Sequence, residues 1–225
     1  MRVLVATEKP FAANAVKAIK EEIEKAGHEL VLLEKYTELA QLLDAVKDVE
    51  AMIVRSDKIT PEIMDAAPKL KIIVRAGAGY DSIDTAYAKE KGIIVENTPG
   101  QNANAVAELV LGLLVYAVRA FYNGKSGSEL IGKKLGLLAF GNVGRNVARI
   151  AKGFGMDVYA YDAFCHANVI EEAGVHAVAS QEALFEQCNI VRLHIPATPE
   201  TKQSINYALV NRLPKGGILV NTARK

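Results

Sequence analysis

The chain has 225 residues, 50% hydrophobic and 24% charged, with 27 basic and 26 acidic residues and a net charge of +1. That length accommodates one large domain or two modest ones, and the balanced charge, free of like-sign blocks, argues against nucleic acid or an anionic membrane as partner. The two cysteines, Cys165 and Cys188, make no disulfide framework and have no metal-ligand spacing, so free thiols in a reducing cytoplasm, and no metal, are expected.

Residues 1–100 alternate strand and helix patterns. The opening run, with strand Val3 to Ala6, is too short for a signal peptide and is followed by an acid and a proline. Phe11 to Ala26 reads as a helix with Val16, Ile19 and Ile23 on one face and Gly27 as its stop. Leu30 to Leu33 is a strand, Leu39, Leu42, Leu43 and Val46 a helical stripe, and Ala51 to Val54 a third strand. Thr60-Pro61-Glu62 looks like an N-cap, a first-turn proline and a first-turn acid, opening a short helix to about Ala67. Lys71 to Val74 and Ile93 to Val95 complete five strands. Continuous apolar strands separated by helices imply a parallel sheet covered on both faces.

Ligands of such sheets bind beyond the carboxyl ends of the strands. Two strands end alike there, in Arg55-Ser56 and Arg75-Ala76, and Gly77-Ala78-Gly79 follows. The arginines either form an anion site, with phosphate as the natural guest, or pair with local acids such as Asp57 and Asp81. The glycines either make a nest of amides for a carboxylate or simply turn the chain.

Asn97 to Asn102 breaks the alternation. A helix is expected from Ala103 to Tyr122, apolar on nearly every face between Leu109 and Val118. Those ten residues are too few to span a bilayer and suit a buried helix between two domains. The loop from Asn123 to Gly127 then leads to strand Leu135 to Phe140, the turn Gly141-Asn142-Val143-Gly144, a helix to about Phe154, strand Val158 to Tyr161, and Asp162. Strand, glycine turn, helix, strand and acid form the dinucleotide-binding fingerprint. Gly144 lets helix and strand pack closely, Gly141 lets amides approach a pyrophosphate, and the helix start offers free N–H groups and partial positive charge. Asp162 falls 18 residues beyond Gly144, where an acid meets the adenosine ribose. The first glycine of G-x-G-x-x-G is replaced by Ala139, and the alternative is an ordinary βαβ unit with a tight turn. Further on come strands at Val175 to Val178, Ile190 to Ile195 and Gly217 to Asn221, with helices at Gln181 to Gln187 and Thr201 to Leu213. That is five strands from Leu135 onward, one short of a complete six-stranded dinucleotide domain.

Several motifs occur in family order: Ile53-Val54-Arg55-Ser56, Val74 to Asp84, Asn97 to Asn102 with Val106-Ala107-Glu108, Gly141 to Gly144, His194 to Thr201, and Val220 to Arg224. Together they resemble the D-isomer-specific 2-hydroxyacid dehydrogenase family, and within it the D-3-phosphoglycerate dehydrogenases. The resemblance implies two Rossmann-like doubly wound parallel-sheet domains of α/β class, the second incomplete at its C-terminal end. Residues 1–100 would be the substrate-binding domain and 101–225 the NAD-binding domain, entered through linker helix 103–122. It implies hydride transfer between NAD and C2 of a D-2-hydroxy acid, most closely 3-phosphoglycerate to 3-phosphohydroxypyruvate in serine biosynthesis.

By the same resemblance Arg224 is the catalytic arginine on the substrate carboxylate, and Arg55, Ser56, Arg75, Ala76, Gly77, Ala78 and Gly79 bind a small anionic substrate. The cofactor is NAD rather than NADP, because Asp162 would repel a 2′-phosphate. Gly141, Asn142, Val143, Gly144, Asp162, His194, Ile195, Pro196, Thr201, Thr222, Ala223 and Arg224 hold it, with His194 and Pro196 walling the adenine pocket. Family members are usually homodimers through the NAD-binding domain. Two departures are expected to matter. Asn142 replaces an arginine that reaches the pyrophosphate, and the family's catalytic glutamate and proton-carrying histidine or lysine lie beyond Arg224. The competing reading is a non-catalytic α/β scaffold, truncated or engineered, that binds a nucleotide or anion.

Overall fold

The computed structural model describes residues 1–195, 198 and 200–223, so Pro196 and Arg224 lie outside the described residues. The chain divides into two compact units, Met1–Gln101 and Asn102–Lys225. Each is an α/β unit on a wholly parallel sheet, as the continuous apolar strands require.

In the first unit the chain runs β1 (Arg2–Thr7), α1 (Ala13–Lys25), β2 (Glu29–Glu34), α2 (Leu39–Ala45), β3 (Ala51–Val54), α3 (Pro61–Asp65), β4 (Ile72–Arg75), α4 (Thr85–Glu90) and β5 (Ile94–Asn97). The sheet order is β2-β1-β3-β4-β5. Leu4, Ala6, Met52, Val54 and Ile73 from the strands pack with Leu42, Val46 and Ile63 from or beside the helices. Helix α4 escapes a periodicity reading because it is six residues long and buries only Ala88. Its start is fixed by the Asp84 carboxylate, which accepts from the Tyr87 amide at 2.9 Å.

The strand order reverses between β1 and β3, and the buried Asp57 sits at that reversal. Its Oδ1 accepts from the Glu8 amide and the Tyr36 hydroxyl, each at 2.8 Å. Its Oδ2 accepts from the amides of Ser56 at 3.2 Å and Arg55 at 3.3 Å. The loops leaving both strands thereby end on one carboxylate. Burial and the Asp57 contact push the Tyr36 phenol well above its ordinary pKa.

The second unit runs α5 (Ala103–Val118), β6 (Lys134–Leu138), α6 (Asn142–Gly153), β7 (Asp157–Tyr161), α7 (Ala167–Glu172), β8 (His176–Ala177), α8 (Gln181–Gln187), β9 (Ile190–Leu193), α9 (Tyr207–Val210) and β10 (Ile218–Asn221). The order β10-β9-β6-β7-β8 is the dinucleotide-binding arrangement, with its reversal between β6 and β9. Leu135, Leu137, Val158 and Ala160 face α5 and α6, while Val191 and Leu193 face α8 through Leu184 and Phe185.

Two expectations are corrected. The linker helix stops at Val118, not Tyr122, because Ala120, Phe121 and Tyr122 have φ of 52°, 55° and 54°, which a right-handed helix cannot contain. Nor is it buried all round. Val110, Leu111, Leu114 and Val118 enter the core, but Leu109, Leu113 and Tyr116 form an exposed stripe. Apolar composition alone does not say which neighbours exist to cover a face. Residues 201–213 are not one helix either. Thr201 Oγ1 accepts from the Thr198 amide at 2.8 Å in a local turn, and only Tyr207–Val210 is helical, started by the Asn206 side chain. Among the described residues no helix is long and apolar enough to cross a membrane.

Replacing Asp57 by alanine orphans the buried Tyr36 hydroxyl and the strand-end amides. We expect about 3 kcal/mol of destabilisation in urea unfolding followed by near-UV dichroism, and a smaller loss for Asp57→Asn, which keeps one acceptor oxygen. An Asp57→Ala protein as stable as wild type would refute the role.

Candidate cofactor and anion sites

The glycine turn lies at the carboxyl end of β6, at the reversal of the second sheet. Its three small residues have separate reasons. A Cβ on Gly144 would stand 2.7 Å from the Ala139 carbonyl oxygen, so helix and strand tolerate no side chain there. A Cβ on Gly141 would meet nothing within 4 Å. Its φ of −78° does not demand glycine either. Among the described residues nothing packs where a Gly141 side chain would stand, so the backbone at the start of α6 is open to approach. Ala139, at the first glycine position, holds φ of 80°. The fingerprint needs glycine there for backbone conformation, and the alanine carries strain of about 1–2 kcal/mol.

Helix α6 begins at Asn142 with no side chain capping it. Arg145 makes the first intrahelical bond, to the Gly141 carbonyl, so the amides of Asn142, Val143 and Gly144 have no partner within the helix and carry its partial positive charge. Gly141 and Asn142 are exposed. The Arg145 guanidinium stacks 4.9 Å from the centre of the Phe140 ring, placing one cation beside the turn. These features fit a dinucleotide pyrophosphate.

Asp162, at the end of β7, is more engaged than the sequence suggests. Its Oδ2 accepts from the Phe140 amide at 2.7 Å, and its Oδ1 from the amides of Phe164 at 2.8 Å and Cys165 at 3.1 Å. The acid therefore braces the glycine turn from the neighbouring strand.

His194 follows β9 on the other side of the reversal. Its amide donates to the Leu138 carbonyl at 2.9 Å, and its Cδ2 lies 3.7 Å from a Cβ built on Gly144. The ring is thus drawn against the glycine turn. Its Nε2 is buried without a hydrogen-bond partner among the described residues. Loss of water, then the charge of Arg192, lowers its pKa to about 3. The neutral ring is poorly suited to shuttle a proton at neutral pH, in keeping with a binding surface. Ile195 continues the same segment and is half-buried. Thr201 is tied to Thr198, and no described bond links it to the glycine turn.

Beyond β10, the Asn221 side chain accepts from the Ala223 amide at 2.9 Å. Thr222 Oγ1 accepts from Nη2 of Arg192, whose Nη1 donates to the Val220 carbonyl at 3.3 Å. Sequence reasoning missed Arg192, and considered Asp57 only as a partner for the arginines rather than as an acceptor for strand-end amides. The signal for Arg192 was available, a lone arginine inside the apolar run Ile190 to Ile195.

In the first unit, Arg55 does not pair with Asp57, whose oxygens are taken by amides and Tyr36. The exposed Arg55 guanidinium donates instead to the carbonyls of Pro10 at 3.1 Å and Lys9 at 3.4 Å, in the loop leaving β1. It thus lies over the β1–β3 reversal, with Ser56 exposed beside it. Arg75 is 9% exposed and folds back over its own turn. A Cβ on Gly77 would fall 1.3 Å from Arg75 Nη1. Glycine at 77 is therefore what leaves room for this guanidinium. Ala76 to Gly79 are half-buried, and Asn97 Nδ2 donates to the Ala78 carbonyl at 2.5 Å, holding the turn to β5.

Comparison with known proteins identifies the family. Residues 116–225 match the family model described as D-isomer specific 2-hydroxyacid dehydrogenase, NAD binding domain. The hydroxypyruvate reductase of Thermotoga maritima is 40% identical over 210 residues, covering 87% of this chain and 67% of that protein. The D-3-phosphoglycerate dehydrogenase of Methanocaldococcus jannaschii is 37% identical over 198 residues, covering 82% of this chain and 38% of its own length. The NAD⁺-bound 3-phosphoglycerate dehydrogenase of Entamoeba histolytica superposes with a TM-score of 0.92 at 48% identity, over 100% of this chain and 72% of that one. The chain thus spans between 38% and 67% of the length of these two curated relatives. With its matched NAD-binding domain and its cofactor, NAD, so identified, the chain belongs to the D-isomer specific 2-hydroxyacid dehydrogenase family.

Proposed function

We propose that the chain serves hydride transfer between NAD and C2 of a D-2-hydroxy acid in the cytoplasm, with 3-phosphoglycerate and 3-phosphohydroxypyruvate as the substrate pair, feeding serine biosynthesis. The single observation that carries the reading is Gly141, open to within 4 Å of nothing at an uncapped helix start. In this reading residues 1–100 receive the substrate and 101–225 the cofactor, and two copies associate through the second unit. NAD, when bound, supplies or accepts the hydride. The chain's own residues bind and orient: the amides of Asn142 to Gly144 hold the pyrophosphate, Asp162 meets the ribose, and His194 and Pro196, with Ile195 between them, wall the adenine, while the C2 hydroxyl proton goes to the family's proton carrier beyond Arg224. Thr222, Ala223 and Arg224 complete the cofactor side, and Arg224 holds the substrate carboxylate.

The relatives' names divide among hydroxypyruvate, 3-phosphoglycerate and glyoxylate. Phosphate is favoured because Arg55 meets two carbonyls and, among the described residues, no carboxylate within ion-pair distance. In the turn Gly77-Ala78-Gly79 the amides of Ala76 and Gly77 are bound to the carbonyls of Val54 and Arg75, at 2.8 Å each, so Ala78 and Gly79 offer their amides, and Ser56 its hydroxyl, to the other end of the same anion.

Titration of NADH fluorescence separates the two glycines. Gly141→Ala should keep the wild-type unfolding midpoint and weaken NADH by about tenfold or more, whereas Gly144→Ala should lower the midpoint through its clash. Wild-type affinity in Gly141→Ala would remove the pyrophosphate assignment. For the substrate, Arg55→Ala and Arg75→Ala should each weaken 3-phosphoglycerate by about tenfold, the loss of a charge-assisted bond, while leaving D-glycerate nearly unchanged. Equal responses of the two ligands would sink the phosphate reading.

His194 makes a pH prediction with a definite sign. Its folded pKa of about 3 lies below the unfolded value of 6.5, so the unfolded chain binds the extra proton between them. Stability is complete above pH 6.5 and falls as pH drops toward 3, by up to about 1.4 kcal/mol per unit. Between pH 6.5 and 4.5, above most carboxylate titrations, His194→Gln should flatten the urea-midpoint profile. An unchanged slope in that variant contradicts the assignment.

A further inference from the structure

Arg192 is 1% exposed in the middle of β9, between the flanking strands β6 and β10. It shares a face with Ile190 in the apolar core, and among the described residues it meets no carboxylate within ion-pair distance. Withdrawal from water lowers its pKa to about 10. Its Nε is buried and has no partner among the described residues. A charge so placed is a poor device for stability alone, because a well-packed apolar side chain would avoid the desolvation cost.

What the arginine holds explains its presence. β10 has four residues and, among the described residues, pairs on one side only, with β9. In that register Arg192 stands opposite Val220. From there its planar fork reaches two acceptors two residues apart, the Val220 carbonyl and the Thr222 hydroxyl. The Asn221 side chain fastens the next amide, that of Ala223. Every residue from Val220 to Ala223 is thus engaged by Arg192 or by the turn it anchors, immediately before Arg224.

We propose that Arg192 is a positioning residue for Thr222 and Ala223: it sets the Thr222 side chain and the course of the backbone over these two residues as the chain leaves β10. The inference rests on the reading of Thr222 and Ala223 as cofactor-binding. A lysine carries the charge but cannot reach both acceptors with one rigid fork, and an apolar residue reaches neither.

The test uses the full chain with Arg192→Met, Arg192→Lys, Thr222→Val and the Arg192→Met/Thr222→Val double variant. Three quantities are read: NADH affinity by fluorescence, thermal midpoint, and amide exchange over 218–225. Arg192→Met is expected to keep or raise the midpoint while weakening NADH by about tenfold and speeding exchange at 221–223 by a similar factor. Arg192→Lys should recover part of the affinity. Thr222→Val should reproduce the loss, and the double variant should be no worse than either single one, since both cut the same tie. A lower midpoint with unaltered affinity and exchange would mean a purely structural arginine and overturn the proposal, as would additive losses. If Gly141→Ala weakens NADH and Arg192→Met does not, this inference alone fails. If the wild-type chain binds no NADH, or Gly141→Ala binds it unchanged, the cofactor reading fails and takes this inference with it.

Discussion

The closeness of α6 to β6 is the constraint from which the cofactor side of this chain follows. The Ala139 carbonyl leaves no space for a side chain on Gly144, so the turn between strand and helix must be short. A short turn forces Ala139 into the left-handed region and points the first free amides of α6 past the end of the sheet. It also draws in its neighbours. His194, just past the adjoining strand, packs within reach of the same glycine, and Asp162 braces the turn through the Phe140 amide. A bulkier residue at 144 would therefore disturb the amides, the histidine and the aspartate together.

The two units meet a common problem with a common device. At the carboxyl end of a parallel sheet, chains leave the ladder and their amides lose their partners. In the first unit Asp57 collects the amides of Glu8, Arg55 and Ser56, from the loops after β1 and β3. In the second, Asp162 collects those of Phe140, Phe164 and Cys165, from the loops after β6 and β7. In each case an aspartate beyond a strand next to the first strand of the unit pins the first strand's exit. Asp57 and Asp162 are thus structural before they are anything else, and Arg55 is left with carbonyls instead of a carboxylate because Asp57 is already committed.

The apolar strands and the glycine turn were legible because they depend on local patterns: continuous hydrophobic runs, and a spacing that only a strand-turn-helix satisfies. The strand orders were not, since periodicity says which segments are strands and nothing about which lie side by side. Helices α4 and α7 went unread because each has six residues and buries a single side chain. The stretch Thr201 to Leu213 misled for the opposite reason. Its composition suits a helix, but the Thr198–Thr201 turn competes locally for the backbone. Arg192 was hidden by the rule that charges face water. Finding it would have required asking what a lone arginine does inside the strand that borders the reversal.

The engagement of Asp162 also bears on how a ribose could be held. A carboxylate offers about four lone-pair directions. Three are occupied by the amides of Phe140, Phe164 and Cys165. About one remains, enough for a single hydroxyl and too few for both hydroxyls of the proposed adenosine ribose. In this arrangement the acid's charge opposes a 2′-phosphate while its geometry admits one hydroxyl. Binding both would require one amide to let go, and two of the three belong to the short loop after β7 rather than to the glycine turn. Any such release therefore falls most readily on Phe164 and Cys165, because freeing Phe140 would loosen the turn on which the pyrophosphate contact depends.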